Sequence, residues 1–369
     1  MKNTNKIKRI VIKIGSSLVI SNNKFNSIWF NSFLEDIVLL KKRDVEILIV
    51  VSGAVALGKS YLKLKKKKLK IHEKQVCAAC GQVILMNNFK KAFEKKNIKV
   101  AQILLTFSDT EDRKKSLNSR ETIAELMKLS VIPVVNENDS VAIDELKFGD
   151  NDRLAARVAQ IICADQLILL SDVDGLYTKN PKENREAELI TEVTKITEKI
   201  FKMASSKTNL YGTGGMNTKL LAAQIASKSG CETIIIKGNK KNPIRSYLKN
   251  KKGTLFLAKE SGRNRFKEWL AGSIKICGTL IIDKGAEKAL FNGASILPSG
   301  VQKISGKFSK GDIINIKNNL GKKIGKGITF YDSIELSLMI GKRSSEIKSI
   351  LGYNGRDEVV HRDYLTLDE

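Results

Sequence analysis

Six places in the chain put small or polar residues where an apolar run ends. They are Gly15-Ser16-Ser17, Ser52-Gly53-Ala54, Asn136-Glu137-Asn138-Asp139, Gly149-Asp150-Asn151-Asp152, Ser171-Asp172-Val173-Asp174-Gly175 and Thr213-Gly214-Gly215-Met216-Asn217-Thr218-Lys219. The last opens a helical pattern with Gly, Thr and Lys. Such a start suits an anion, because its unpaired backbone N–H groups and the positive end of the helix dipole face it. Residues 53–60, GAVALGKS, also match G-x-x-x-x-G-K-S, the phosphate-binding loop. Their four intervening residues are Ala, Val, Ala and Leu. These form helix and pack on a sheet, whereas a backbone bent around phosphate suits them poorly.

Other chemistries find little support. The five cysteines, Cys77, Cys80, Cys163, Cys231 and Cys277, are odd in number and scattered, so no disulfide framework is implied. Cys77-Ala-Ala-Cys80 has no second pair to complete a zinc site, and small buried helix residues explain it. The two histidines, His72 and His361, lie far apart, which disfavours a His-based triad. His361-Arg362-Asp363 imitates a protein-kinase catalytic loop, but only six residues follow it and no Asn stands five positions after the Asp.

The elements that must position these groups are legible as alternation. Short, continuously apolar strands are predicted at 9–14, 46–54, 99–106, 131–139, 166–177 and 232–238, several running into polar loops. Helical spacing fills 27–42, 74–96, 117–129, 152–164 and 215–230 between them. This is an α/β pattern: a mostly parallel open sheet covered by helices on both faces. Ligands on such a sheet bind beyond the carboxyl ends of its strands, where the six clusters fall. After about residue 270, short strand-like segments alternate with Gly turns, suggesting a small β-rich module. The expected organisation is a domain over 1–262, a linker over 263–273, a second domain over 274–352 and a tail over 353–369.

The chain has 369 residues and a formal charge of +26, from 65 Lys+Arg against 39 Asp+Glu. The length suggests two or three domains, and 42% apolar content is enough to build their cores. No apolar run reaches the roughly 18–20 residues of a membrane span. MKNTNKIKRI reads as a short polar tail before a strand, so a cytoplasmic protein is expected. The charge first suggests nucleic acid. Yet 52 of the basic residues are Lys and 13 are Arg, whereas base recognition favours Arg. From residue 274 onward the net charge is only +4. The excess therefore lies in the first part of the chain, and coding-level drift toward Lys accounts for much of it.

In order, VIKIGSS, VVSGAVALG, VIPVVNENDSV, FGDNDRLAA, LLSDVDGLYT and GTGGMNTKLLAA resemble the amino-acid kinase family, and within it the glutamate 5-kinases. ILPSGVQKISGKFSKGDIINI (296–316) resembles part of a PUA domain, a small barrel that many bacterial members carry. The resemblance implies ATP-dependent phosphorylation of the side-chain carboxylate of L-glutamate, the first step of proline biosynthesis. That nucleophile, with an unperturbed pKa near 4.3, is already ionised at neutral pH and requires no general base. The resemblance places Lys13 and Lys219 on the transferring phosphoryl group, with Asp150 holding the two ammonium groups. Nucleotide contacts fall on Lys13, Gly15, Ser171, Asp172, Thr213, Gly214, Gly215, Met216, Asn217, Thr218 and Lys219. Substrate contacts fall on Ser52, Gly53, Asp139 and Asn151, with Asp139 on the ammonium and Asn151 and Ser52 on the carboxylates. Mg²⁺ is expected with ATP, held by phosphates and water, with no protein ligand assigned. Further implications are proline as a feedback inhibitor acting near Glu145, a homo-oligomer (tetramer or dimer), and coupling to glutamate-5-semialdehyde dehydrogenase. The alternatives are an RNA-binding or RNA-modification protein acting through the PUA-like module, or another enzyme of the amino-acid kinase family with a different acceptor. One segment departs from the family: residues 59–70, KSYLKLKKKKLK, hold seven Lys before the helix Lys74-Gln75-Val76-Cys77-Ala78-Ala79-Cys80-Gly81-Gln82.

Overall fold

The computed structural model describes residues 7–141, 151–181, 183–204, 215–258 and 276–368. The chain divides into two compact units, Met1–Asp112 with Asn118–Ser261, and Arg113–Leu117 with Gly262–Glu369. The expected linker, 263–273, lies outside the described residues.

The first unit is built on one sheet. Its strands are β1 (Arg9–Ile14), β2 (Glu46–Val51), β3 (Val100–Leu105), β4 (Ile132–Glu137), β5 (Gln166–Ser171), β6 (Glu192–Val193), β7 (Glu232–Lys237) and β8 (Thr254–Phe256). The spatial order is β3-β4-β2-β1-β5-β7-β8-β6, and the six strands from β3 to β7 in that order are parallel. From the central β1 the chain passes to β2, then to the edge strand β3, returns to β4 between them, and crosses to β5 and β7 on the other side. The crevice at that reversal is where open α/β sheets bind ligands.

Alternation along each strand feeds two cores. Ile10, Ile12 and Ile14 join α1 (Ser27–Lys41) and α3 (Ile71–Glu94) on one face. There Phe30 and Phe89 meet with ring centroids 4.5 Å apart. Val11 faces the other way, with Leu48, Val50, Leu167 and Leu169. That face is covered by α4 (Asn151–Ile161) and α5 (Met216–Lys228). Lys13 follows Val11 by two residues, so the pleat sends it to the same face.

The residues that match the phosphate-loop pattern form a helix, α2 (Ala54–Tyr61), as their apolar composition suggests. A Cβ on Gly58 would lie 1.8 Å from the Cys77 carbonyl oxygen, and one on Gly81 would lie 1.8 Å from that of Ala54. Each glycine lets the backbones of α2 and α3 touch. Gly58-Lys59-Ser60 is therefore helix packed on helix, with no loop to cradle phosphate. Cys77 is buried in this crossing and, like Cys80, is a free thiol. Among the described residues no group of three His, Cys, Asp or Glu could hold a metal ion. Nor is any described helix long and apolar enough to cross a membrane.

The second unit carries β9 (Gly278–Ile282), β10 (Val301–Ser305), β11 (Ile313–Lys317), β12 (Lys323–Ile328) and β13 (Leu365–Leu367), ordered β10-β9-β11-β12-β13. Its end differs from the expected tail. Val359 and Val360 are buried in its core, and β13 pairs antiparallel with β12. Short apolar pairs separated by polar residues hid this strand from the sequence pattern.

Gly58→Ala should overpack the α2–α3 crossing by about 2–3 kcal/mol. The melting temperature should fall by about 5–10 °C. A phosphate-cradling role would instead weaken nucleotide binding and leave the melting temperature unchanged; calorimetry with and without nucleotide separates the two.

Candidate active site

Two helices bring three charged groups together at the carboxyl end of β1. Asp152 stands in the first turn of α4 and Lys219 in the first turn of α5. Each heads the same stripe of small residues at i+3, i+4 and i+7: Ala155, Ala156 and Ala159 after Asp152, and Ala222, Ala223 and Ala226 after Lys219. All six alanines are fully buried in one core. Helices faced with alanine can approach closely, and α4 and α5 pack against each other.

Lys13 Nζ lies 2.6 Å from Asp152 Oδ1, and Lys219 Nζ lies 3.0 Å from Asp152 Oδ2. The hydroxyl of Thr218 is 3.0 Å from the same Oδ2 and 2.9 Å from the Gly215 carbonyl. Asp152 is wholly buried, and both lysines are 6% exposed. Burial pushes the Asp152 carboxyl up, but the two ammonium groups outweigh it and hold the pKa down at about 2. The position at the start of α4 adds the favourable end of a helix dipole.

Asp150, expected between the two lysines, lies outside the described residues; the carboxylate found there is Asp152. Helical phase could have singled it out. Counting back from Ala155, Ala156 and Ala159 puts residue 152 on the buried stripe.

The remaining expected positions surround this centre. Gly15 has φ −74°, so no backbone strain requires glycine, but a Cβ would sit 3.9 Å from Lys13 Nζ. The missing side chain leaves room beside the ammonium group. Ser171 ends β5 and is buried; its hydroxyl is 3.2 Å from Asp172 Oδ1, and Asp172 is exposed. Gly215 caps α5, with Met216, Asn217, Thr218 and Lys219 in its first turn. Asn217 Oδ1 is buried without a hydrogen-bond partner among the described residues. Thr213, Gly214 and Glu145 lie outside the described residues.

A cavity of about 550 Å³ opens at the ends of β2 and β4. Ser52, Gly53, Asp139 and Asn151 all line it. Gly53 has φ +123° and caps α2, and a Cβ there would meet Ile20 at 2.9 Å; here glycine is required. Ser52 Oγ and Asn151 Oδ1 are buried without partners among the described residues. Orphaned polar atoms on a cavity wall are open to a ligand that completes them. Burial pushes the Asp139 carboxyl up to about 6.

Sequence reasoning missed part of this wall. Lys59, Lys67, Lys68 and Lys74 line the cavity, so the Lys-rich segment is not only solvated surface. Lys66 pairs with Glu73 at 2.5 Å, and Glu73 also accepts from the Lys70 backbone, tying the segment to the start of α3. Asn136, also on the wall, has an amide bonded to that of Asn151.

Residues 8–237 match the model of the amino acid kinase family, and residues 278–351 match that of the PUA domain. The glutamate 5-kinase of Paramagnetospirillum magneticum is 43% identical over 98% of this chain and 98% of its own. That of Rhodospirillum rubrum is 44% identical over 97% and 96%, and that of Pelagibacter ubique 46% over 96% and 97%.

Removing the shared carboxylate leaves two buried ammonium groups facing each other. Asp152→Asn should destabilise the first unit by about 3–5 kcal/mol at pH 7, measured by denaturant unfolding. The Asp152 pKa is depressed, so its stabilisation is complete above the ordinary carboxylate range and is lost as pH falls toward 2. The gap between wild type and variant should therefore narrow between about pH 4 and pH 2.

Proposed function

The chain belongs to the amino acid kinase family, and on that premise we propose that it phosphorylates the side-chain carboxylate of L-glutamate, giving L-glutamyl 5-phosphate. The observation that carries the reading is the buried Lys13–Asp152–Lys219 bridge, in the same unit as a cavity whose wall holds Ser52 and Asn151 atoms without partners among the described residues. The relatives at 43–46% identity are glutamate 5-kinases over nearly their whole length.

ATP supplies the phosphoryl group, with Mg²⁺ on its phosphates. The donor set fits a polyphosphate: two buried ammonium groups, the open side of Gly15 and the start of α5. Gly215, Met216, Asn217 and Thr218 offer that helix start to the nucleotide, with Ser171 and Asp172 at the end of β5. The attacking carboxylate is already ionised, so no residue must remove a proton. Repulsion between that anion and the phosphates is the obstacle. Lys13 and Lys219 offset it by spreading positive charge over the transferring oxygens, and Asp152 keeps both ammonium groups in place. Asp139 takes the substrate ammonium, while Ser52 and the Gly53 turn serve a carboxylate. Lys59, Lys67 and Lys68 add attraction for a substrate with two carboxylates.

The same reading makes the protein a cytoplasmic enzyme of proline biosynthesis. A homo-oligomer, inhibition by proline, and transfer of the acyl phosphate to glutamate-5-semialdehyde dehydrogenase belong with it and rest on the family resemblance.

Purified protein should convert glutamate and ATP to an acyl phosphate, trapped by hydroxylamine as the hydroxamate. Activity with aspartate, acetylglutamate or UMP and none with glutamate would overturn the substrate. Lys13→Ala and Lys219→Ala should each lower kcat by about 10³-fold or more, whereas Lys59→Ala should leave kcat near wild type and raise only KM for glutamate. Asp139 must be charged to pair with an ammonium. With its carboxyl at about 6, kcat/KM for glutamate should fall as pH drops below 6, and Asp139→Asn should lose that inflection. A flat wild-type profile between pH 5 and 7 would remove Asp139 from this role.

A further inference from the structure

Four amides form a chain from the edge strand β3 to the cavity. Gln82 Nε2 donates to Gln102 Oε1 at 2.9 Å. Asn136 Nδ2 donates to Gln82 Oε1 at 2.7 Å. Asn151 Nδ2 donates to Asn136 Oδ1 at 2.8 Å and to the Val51 carbonyl at 2.6 Å. The Glu137 backbone N–H also donates to Asn136 Oδ1, at 2.9 Å.

The chain has a direction. Each amide accepts through its oxygen and donates through its nitrogen, so turning one alone sets oxygen against oxygen or N–H against N–H. Both N–H groups of Asn151 are used, one on Asn136 and one on the backbone of β2. The atom left over is Asn151 Oδ1. It is buried and without a partner among the described residues, on a residue 2% exposed that lines the cavity. Gln82 is 9% exposed and Asn136 3%, so little water competes for these inner links; Gln102, at the far end, is exposed, and the Glu137 N–H on Asn136 Oδ1 is what fixes the direction.

An unpaired carbonyl oxygen calls for a donor. A substrate with two carboxylates and one ammonium, at neutral pH, donates only through the ammonium. The expectation that Asn151 orients a carboxylate does not fit an amide whose N–H groups are both engaged.

We propose that Asn151 recognises the substrate ammonium through Oδ1, and that Gln82, acting through Asn136, is a positioning residue that fixes Asn151 in this orientation. The proposal rests on glutamate being the substrate. Asp139, on the same wall, supplies the charge, and Asn151 supplies a directed acceptor. Together they would distinguish an amino acid from a plain dicarboxylic acid.

The test compares glutamate with glutarate, which has the same two carboxylates and no ammonium. The full chain is assayed for KM of glutamate and for Ki of glutarate as a competitive inhibitor. In wild type, Ki should exceed KM by a wide margin. Gln82→Met removes the acceptor for Asn136 at nearly constant shape. It should raise KM for glutamate and leave Ki for glutarate and KM for ATP within about twofold, so that Ki/KM falls about tenfold. Gln82→Glu keeps an oxygen for Asn136 Nδ2 and should hold the ratio near wild type. Asn151→Leu removes Oδ1 itself and should shrink the ratio further, which keeps the test open if Gln82→Met folds poorly. KM and Ki rising in step, or a ratio unmoved in Gln82→Met and Asn151→Leu, would overturn the proposal. A wild-type enzyme that ignores glutamate would instead overturn the substrate on which it rests.

Discussion

A carboxylate sealed from water is tolerated only if its charge is met where it lies, and Asp152 is met on both oxygens. That pairing governs much of the first unit. Lys13 must come from the central strand, on the face opposite its isoleucines. Lys219 must come from a second helix close enough for its ammonium to reach the other oxygen. The alanine stripes on α4 and α5 allow that approach, and the reversal of strand order around β1 leaves the crevice into which the lysines can present charge. Either lysine alone would be a costly buried cation. Bridged by Asp152, they form a rigid pair suited to phosphoryl oxygens, with no reorganisation needed when charge moves during transfer.

The cavity at the ends of β2 and β4 follows a different rule. Among the described residues its wall leaves one acceptor and one hydroxyl incomplete, so a ligand with the right groups gains what the free protein lacks. Gly53, in a conformation that favours glycine, turns the chain from β2 into α2 at the edge of this cavity. The Gly58–Gly81 crossing then fixes α2 against α3. Lysines from α2, from the segment after it and from α3 give the wall a positive excess, appropriate for a substrate with two carboxylates. In the proposed reading phosphate handling and amino-acid recognition fall to different residues, yet Asn151 and Asp152 are neighbours, so one helix start would serve both.

Much of this was legible in the sequence. Runs such as RIVIKI and QLILLS, alternating with helical spacing, carry the parallel sheet because a strand buried on both faces must be continuously apolar. The polar clusters at strand ends contain nearly all of the site. That Asp152 heads the buried alanine stripe was legible only through helical phase. The amide chain was not legible. Gln82, Gln102, Asn136 and Asn151 come from four separate elements, and nothing local marks their partners. β13 was missed because LTL is too short to show a period. The charge of +26 misled at first. Its location mattered more than its size: the excess lies in the first part of the chain, which holds the candidate site, and several of its lysines line the cavity.

The central claim is that Lys13 and Lys219 act as one clamp through Asp152. A double-mutant cycle on kcat, with Lys13→Ala, Lys219→Ala and the pair assayed by hydroxamate formation, tests it most directly. If the two lysines form one unit, either single replacement should cost nearly as much as both together. Losses that multiply independently, or a single variant that keeps turnover near wild type, would contradict the clamp.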